Sequence, residues 1–180
     1  RIPYDECAAR AEAIHPVRTF IDDPALQMYT LETAAGSVKI EACGGDGFFY
    51  ALTTVKHLMD ASGEKAVVQE AVITDYPAFP VRGIFEGAYG EWDIEGRLDV
   101  IEWMGSVKLN SFLYGPKGDA KIRRRWREPY DDVELFNFKR MIEAARRNHI
   151  QFTYTIAPTL GFEFGSDEDF EALLSRVRQM

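Results

Sequence analysis

Beyond residue 82 the apolar positions alternate between two spacings. Short apolar runs of strand length fall near 82–86, 109–113 and 151–156, and a stretch of helical periodicity follows each of them. The first helix, roughly 93–107, takes Asp93 as its N-cap and turns Leu98, Ile101 and Met104 or Gly105 inward. The second begins at Asp131, has Glu134 placed to complete a capping box, and carries Leu135, Phe138, Met141, Ile142 and Ala145. The third follows Ser166, with Asp169 at its third position and Phe170, Leu173, Leu174 and Val177 as an apolar stripe. Strands that alternate with helices of crossover length run parallel.

Before residue 75 the order differs. Residues 4–14 have helix-favouring composition up to the stop at Pro16. Met28–Thr33 and Ser37–Glu41 are strand-like, and Ala34-Ala35-Gly36 between them has hairpin length. Gly44-Gly45-Asp46-Gly47 leads into a helix on which Phe48, Leu52, Val55 and Leu58 or Met59 recur at helical spacing, and a further strand spans about Ala66–Thr74. This order predicts a small α+β layer with its helices on one sheet face. The glycine cluster lacks both the Gly-Lys-Ser/Thr ending and the G-x-G-x-x-G spacing of phosphate loops, so it reads as an ordinary turn into a helix. Asp75-Tyr76-Pro77-Ala78-Phe79-Pro80 marks the boundary, because two prolines in so short a stretch continue neither a helix nor a central strand. The expected domains are therefore 1–80 and 81–180.

Composition removes several classes. With 46% apolar residues the chain can fill a core, and a net charge of −8 argues against non-specific nucleic-acid binding. No apolar run is long enough for a membrane-spanning helix. The two cysteines, Cys7 and Cys43, make no disulfide framework and read as unpaired thiols. His15, His57 and His149 have no metal-ligand spacing, so neither a metal nor a cofactor is expected. Arg1 in place of methionine, without a leader pattern, reads as the start of an excised piece.

Candidate chemistry lies in the loops after the first two strands of the second half. The first strand ends in Glu86-Gly87-Ala88-Tyr89-Gly90, and the second in Tyr114-Gly115-Pro116-Lys117. In an α/β barrel, side chains at that end of the sheet carry function. A tyrosine beside glycines offers a flat wall and a hydroxyl, and glycine lets a ligand approach the backbone. A lysine offers three donors on a compact cation. On these residues alone, Tyr89 as a packed turn residue and Lys117 as a solvated charge remain open alternatives. The basic run Lys121–Arg127 (KIRRRWR) reads as a solvated loop whose guanidiniums pair with Glu128 and Asp131–Asp132, and Asp167–Glu168–Asp169 as cap and surface charge.

VRGIFEGAYGEWD, LNSFLYGPKGD and WREPY occur in that order within about fifty residues. They resemble glycoside hydrolase family 84, the O-GlcNAcase and hyaluronidase-like β-N-acetylglucosaminidases, which read GxxEGFYGxPW, LNxYxYAPKDD and WRExY. GFFYALTTVKHL and DYPAFPVRG are similar to the accessory domain and junction shared by families 84 and 20. The resemblance implies an N-terminal fragment of α/β class: a small accessory α+β domain, then the first three βα units of an incomplete TIM (β/α)8 barrel. It implies that the Gly87 carbonyl and the Lys117 ammonium hold hydroxyls of an N-acetylglucosamine ring, that Tyr89 lines the pocket, and that Asp119 is structural. The implied partner is a glycan or glycoprotein carrying N-acetylglucosamine.

The family hydrolyses its substrate with help from the substrate's own 2-acetamido group, oriented and protonated by two adjacent aspartates. That pair is expected at the end of a fourth strand, beyond Met180, so this chain holds no catalytic residue and is expected to be inactive alone. Its open sheet edges imply self-association. Departures from the pattern at Ala88, Glu91, Gly115, Gly118 and Ala157–Gly161 imply an altered rim. A family 20 β-hexosaminidase and a non-catalytic carbohydrate-binding or interaction module remain alternatives.

Overall fold

The computed structural model describes residues 24–60, 66–90, 92–158 and 161–180. The chain divides into two compact units, one ending at Arg82 and the other beginning at Gly83. The helix expected over residues 4–14 lies outside the described residues.

In the first unit, β1 (Tyr29–Ala34) sits between β2 (Ser37–Ala42) and β5 (Ala71–Asp75), antiparallel to both. Helix α1 (Gly45–His57) contributes Tyr50 and Ala51 to a core that also holds Tyr29 and Leu31. The face that α1 buries is the predicted one only in part: Val55 and Leu58 pack against this core, and Phe48 and Leu52 do not. Its buried residues are Gly47, Tyr50, Ala51, Thr53 and Thr54, while Phe48 and Leu52 are 49% and 41% exposed. Small residues at 47, 51 and 54 share one side of the helix and let it come close to the strand. A side chain at Gly47 would run into the Met28 carbonyl, so bulk is excluded there. The strand expected over 66–74 is also two elements. β4 (Val67–Val68) pairs with β3 (Met59–Asp60), whereas β5 joins β1. Thr33 makes the break: its Oγ1 donates to the Gln69 carbonyl (2.6 Å) and accepts from the Ala71 amide (2.8 Å), replacing ladder bonds at that point.

The second unit is a parallel sheet in the order β6 (Gly83–Glu86), β7 (Ser111–Tyr114), β8 (Gln151–Tyr154). Gly83, Ser111 and Gln151 lie level at one end, and Glu86, Tyr114 and Tyr154 lie level at the other. One sheet face carries α2 (Ile94–Ser106) and α4 (Asp132–Arg147), which close over Phe112 and Tyr114 with Ile101, Met104, Phe138, Met141 and Ala145. Both predicted N-caps are present. Asp93 accepts from the Gly96 amide at 2.7 Å, and Asp131 forms a reciprocal capping box with Glu134. Both helices end on a left-handed residue, Lys108 (φ 61°) or His149 (φ 55°). The next amides, of Leu109 and Ile150, reach back to the Met104 and Ala145 carbonyls in Schellman fashion.

Helix α5 (Asp167–Gln179) starts at Ser166 as expected, but of its expected stripe only Leu173 and Leu174 are half-buried. Phe170 and Val177 are 56% and 63% exposed, and the buried residues are Asp169 and Arg176. Hydrogen bonding sets that rotation, since Arg176 reaches the carbonyls of Trp126 and Glu128.

Gly83 fixes the approach of β6 to β7, because any Cβ there would overlap the Ser111 carbonyl. Gly83→Ala is expected to cost about 1–3 kcal/mol, as overpacking against backbone does. Urea denaturation checks this, and unchanged stability would contradict the register.

Candidate functional site

Two backbone bonds carry the β6–β7 pairing past the strand ends. The Gly115 amide donates to the Glu86 carbonyl (3.1 Å), and the Lys117 amide to the Ala88 carbonyl (3.0 Å). The two following loops therefore leave the sheet as a pair. This brings the Lys117 ammonium to 4.6 Å from the centre of the Tyr89 ring, a cation–π contact. Gly87, Tyr89 and Lys117 thus stand together at the C-terminal ends of neighbouring parallel strands. Gly87 is half-buried, while Tyr89 is 76% exposed and Lys117 is exposed. Gly115, where the family pattern has alanine, is accounted for by its surroundings. A methyl group there would meet Thr155 Oγ1 and lie 2.6 Å from the Phe85 ring.

Beneath these loops lie groups that the sequence reading did not connect. Glu86 is buried and receives three hydrogen bonds of 2.8–3.1 Å from the Arg97 guanidinium, which also lies 5.1 Å from the centre of the Tyr114 ring. The signal was present. A glutamate in an apolar strand needs a buried cation, and Arg97 falls on the inward stripe of α2 between Ile94 and Leu98. Asp119 accepts three bonds: from the Lys121 amide (2.8 Å), the Tyr114 hydroxyl (3.0 Å) and the Tyr130 hydroxyl (2.7 Å). Tyr130 also touches the Tyr154 hydroxyl at 3.2 Å. Burial first, and Asp119 with it, pushes the Tyr114 phenol far above its ordinary value. Burial and the bonds to Tyr154 and Asp119 do the same for Tyr130. These phenols are fixed donors at any working pH. A cavity of about 280 Å³ opens here, lined by Arg97, Asp119, Lys121, Tyr130, Glu134 and Asn137. Tyr89 and Lys117 do not line it, so it is separate from the candidate site.

The basic run is more structural than expected. It begins in the short helix α3 (Ala120–Arg123), and Trp126 within it is fully buried. Lys121 pairs with Glu134, Arg125 with Glu128 and Arg127 with Asp169; none of these partners is Asp131 or Asp132. Asp169, read as surface charge, is 4% exposed. It accepts from the Glu163 amide (2.7 Å) as well as from Arg127, which also holds the Gly161 carbonyl. These bonds strap the loop after β8 onto Trp126, where Phe162 packs with ring centres 5.7 Å apart.

The Glu163 amide, then Arg127, lower the pKa of Asp169 below the ordinary carboxylate value. A folded-state pKa below the unfolded one stabilises above the unfolded value, about 3.9, and the contribution is lost as pH falls through the folded value. Acidification below the unfolded value is therefore expected to weaken this contribution, and to release the loop as pH falls through the folded one. Hydrogen exchange at Glu163 reads this, and Asp169→Asn should expose that amide at neutral pH.

The family model described as beta-N-acetylglucosaminidase matches residues 82–180, more than half of the chain. The chain belongs to that family, glycoside hydrolase family 84. A second model, glycosyl hydrolase family 20, domain 2, matches residues 8–76. The protein O-GlcNAcases of Rattus norvegicus and Mus musculus are each 35% identical over 99 residues. That match takes in 54% of this chain and 11% of theirs. The solved structure of CpGH84B superposes with a TM-score of 0.79 at 34% identity, over 93% of this chain and 30% of that one. A mutant of the Thermobaculum terrenum O-GlcNAc hydrolase gives 0.54 at 41% identity, over 55% of this chain and 22% of its own. The chain thus spans about a tenth of these curated relatives and under a third of these solved structures.

Proposed function

We propose that the protein acts in hydrolysis of β-N-acetylglucosaminides, with Gly87, Tyr89 and Lys117 forming one wall of the sugar pocket. The observation that carries this reading is the Lys117–Tyr89 pair at the ends of β6 and β7. A sugar ring needs apolar faces to pack on and fixed donors for its hydroxyls. An exposed aromatic ring and an ammonium held against it supply both. The Gly87 carbonyl adds an acceptor for a hydroxyl proton. In this reading residues 81–180 are the first three units of a (β/α)8 barrel, and residues 1–80 are its accessory domain. The family chemistry, in which the 2-acetamido oxygen attacks the anomeric carbon, needs two adjacent carboxylates. Glu86 and Asp119, the carboxylates beside this wall, are held by Arg97 and by the two phenols. Neither is placed to act as acid or base.

The full-length gene product is therefore expected to release 4-nitrophenol from 4-nitrophenyl N-acetyl-β-D-glucosaminide, and the 180-residue chain alone is not. General acid–base help accounts for about 10²–10⁴-fold of rate, and the orienting carboxylate is a further loss. A gene product that binds the sugar without turnover would favour the binding-module reading. Turnover by the 180-residue chain would overturn the assignment of roles.

A further inference from the structure

We propose that Asp119 is a positioning residue for the sugar site, holding the turn that presents Lys117 against Tyr89; this rests on Lys117 being a sugar ligand. Residues 116–119 form a tight turn closed by the Asp119 amide on the Pro116 carbonyl (3.2 Å), with Lys117 at its first corner. The incoming side is fixed, because Pro116 is buried and the Lys117 amide is bonded to Ala88. The Lys117 side chain is exposed, so the direction in which it leaves the turn depends on how the outgoing side is held.

The Asp119 carboxylate does that holding. Oδ1 takes the Lys121 amide, and Oδ2 takes hydroxyls from Tyr114, the last residue of β7, and Tyr130, just before α4. Through the Tyr130–Tyr154 contact the same carboxylate is tied to the end of β8. One side chain therefore registers the turn against two strand ends. Only a carboxylate can do this, since all three partners are donors. An asparagine keeps one acceptor oxygen and turns an NH2 toward a donor, so either the amide or the phenols lose their partner. If Asp119 served only as the N-cap of α3, its loss would fray that short helix and leave Lys117 in place.

The test pairs Asp119→Asn with Tyr130→Phe, which keeps the ring and removes a single donor. In the 180-residue chain, the Lys117 ε-methylene protons are read by NMR for the upfield shift that the Tyr89 ring imposes. In the full-length gene product, kcat and KM are measured on 4-nitrophenyl N-acetyl-β-D-glucosaminide. Asp119→Asn is expected to abolish the upfield shift and to lower kcat/KM about tenfold, mainly through KM, with Tyr130→Phe smaller in the same direction. If Asp119→Asn fails to fold, Tyr130→Phe carries the same comparison. A folded variant that keeps both the shift and the wild-type kcat/KM overturns the positioning role. Loss of the shift in the 180-residue variant, with no hydrolysis by the wild-type gene product, supports the positioning and counts against the sugar reading, so the two failures are distinguishable.

Discussion

Glu86→Ala is expected to destabilise the second unit by about 3–5 kcal/mol, the usual result of removing one partner of a buried ion pair. The Glu86 side chain is 1% exposed and Arg97 is 14% exposed, so the pair is largely shielded from bulk water. The guanidinium would keep its charge while losing all three hydrogen bonds to Glu86. A domain is stable by about 5–15 kcal/mol in all, so the loss is a large share of the total. Replacing both partners, as in Glu86→Leu with Arg97→Met, should recover most of it, because an apolar pair of similar volume removes the stranded charge. Urea denaturation of the two variants checks this. A loss below about 1 kcal/mol for Glu86→Ala would mean that the pair behaves as a solvated surface bridge.

The second unit was readable from sequence to within a residue or two at most boundaries, and the reason is local. Asp93, Asp131 with Glu134, and Ser166 are caps whose chemistry is written in neighbouring residues. The misreadings depended on distant partners. Phe48 and Leu52 have the right spacing, but bulk is excluded at Gly47, and only the fold reveals Met28 opposite it. The break at Gln69 depends on Thr33, far away in sequence. The rotation of α5 follows from Arg176 finding the carbonyls of Trp126 and Glu128. Each of these is a polar or steric demand made by another element, and periodicity does not register it. Gly87, Tyr89 and Lys117 were singled out by strand-end position and family likeness. The support under them, Glu86–Arg97 and Asp119 with its tyrosines, was not, because its members lie on separate elements.

Lys117→Ala bears most directly on the central reading. The ammonium is exposed, and its contact is with the Tyr89 ring, so removing it should leave the melting temperature unchanged. In the proposed sugar complex its loss costs more, since hydrogen bonds from a charged group are worth about 1.5–3 kcal/mol each. Lys117→Arg should not rescue it, because a planar fork does not reproduce a compact three-donor cation. The decisive measurement is kcat/KM of the full-length gene product on 4-nitrophenyl N-acetyl-β-D-glucosaminide, wild type against Lys117→Ala, with melting temperatures taken on the same samples. The predicted result is a fall of about 10²-fold at unchanged melting temperature. An unchanged kcat/KM in the folded variant would contradict a sugar site built on the ends of β6 and β7.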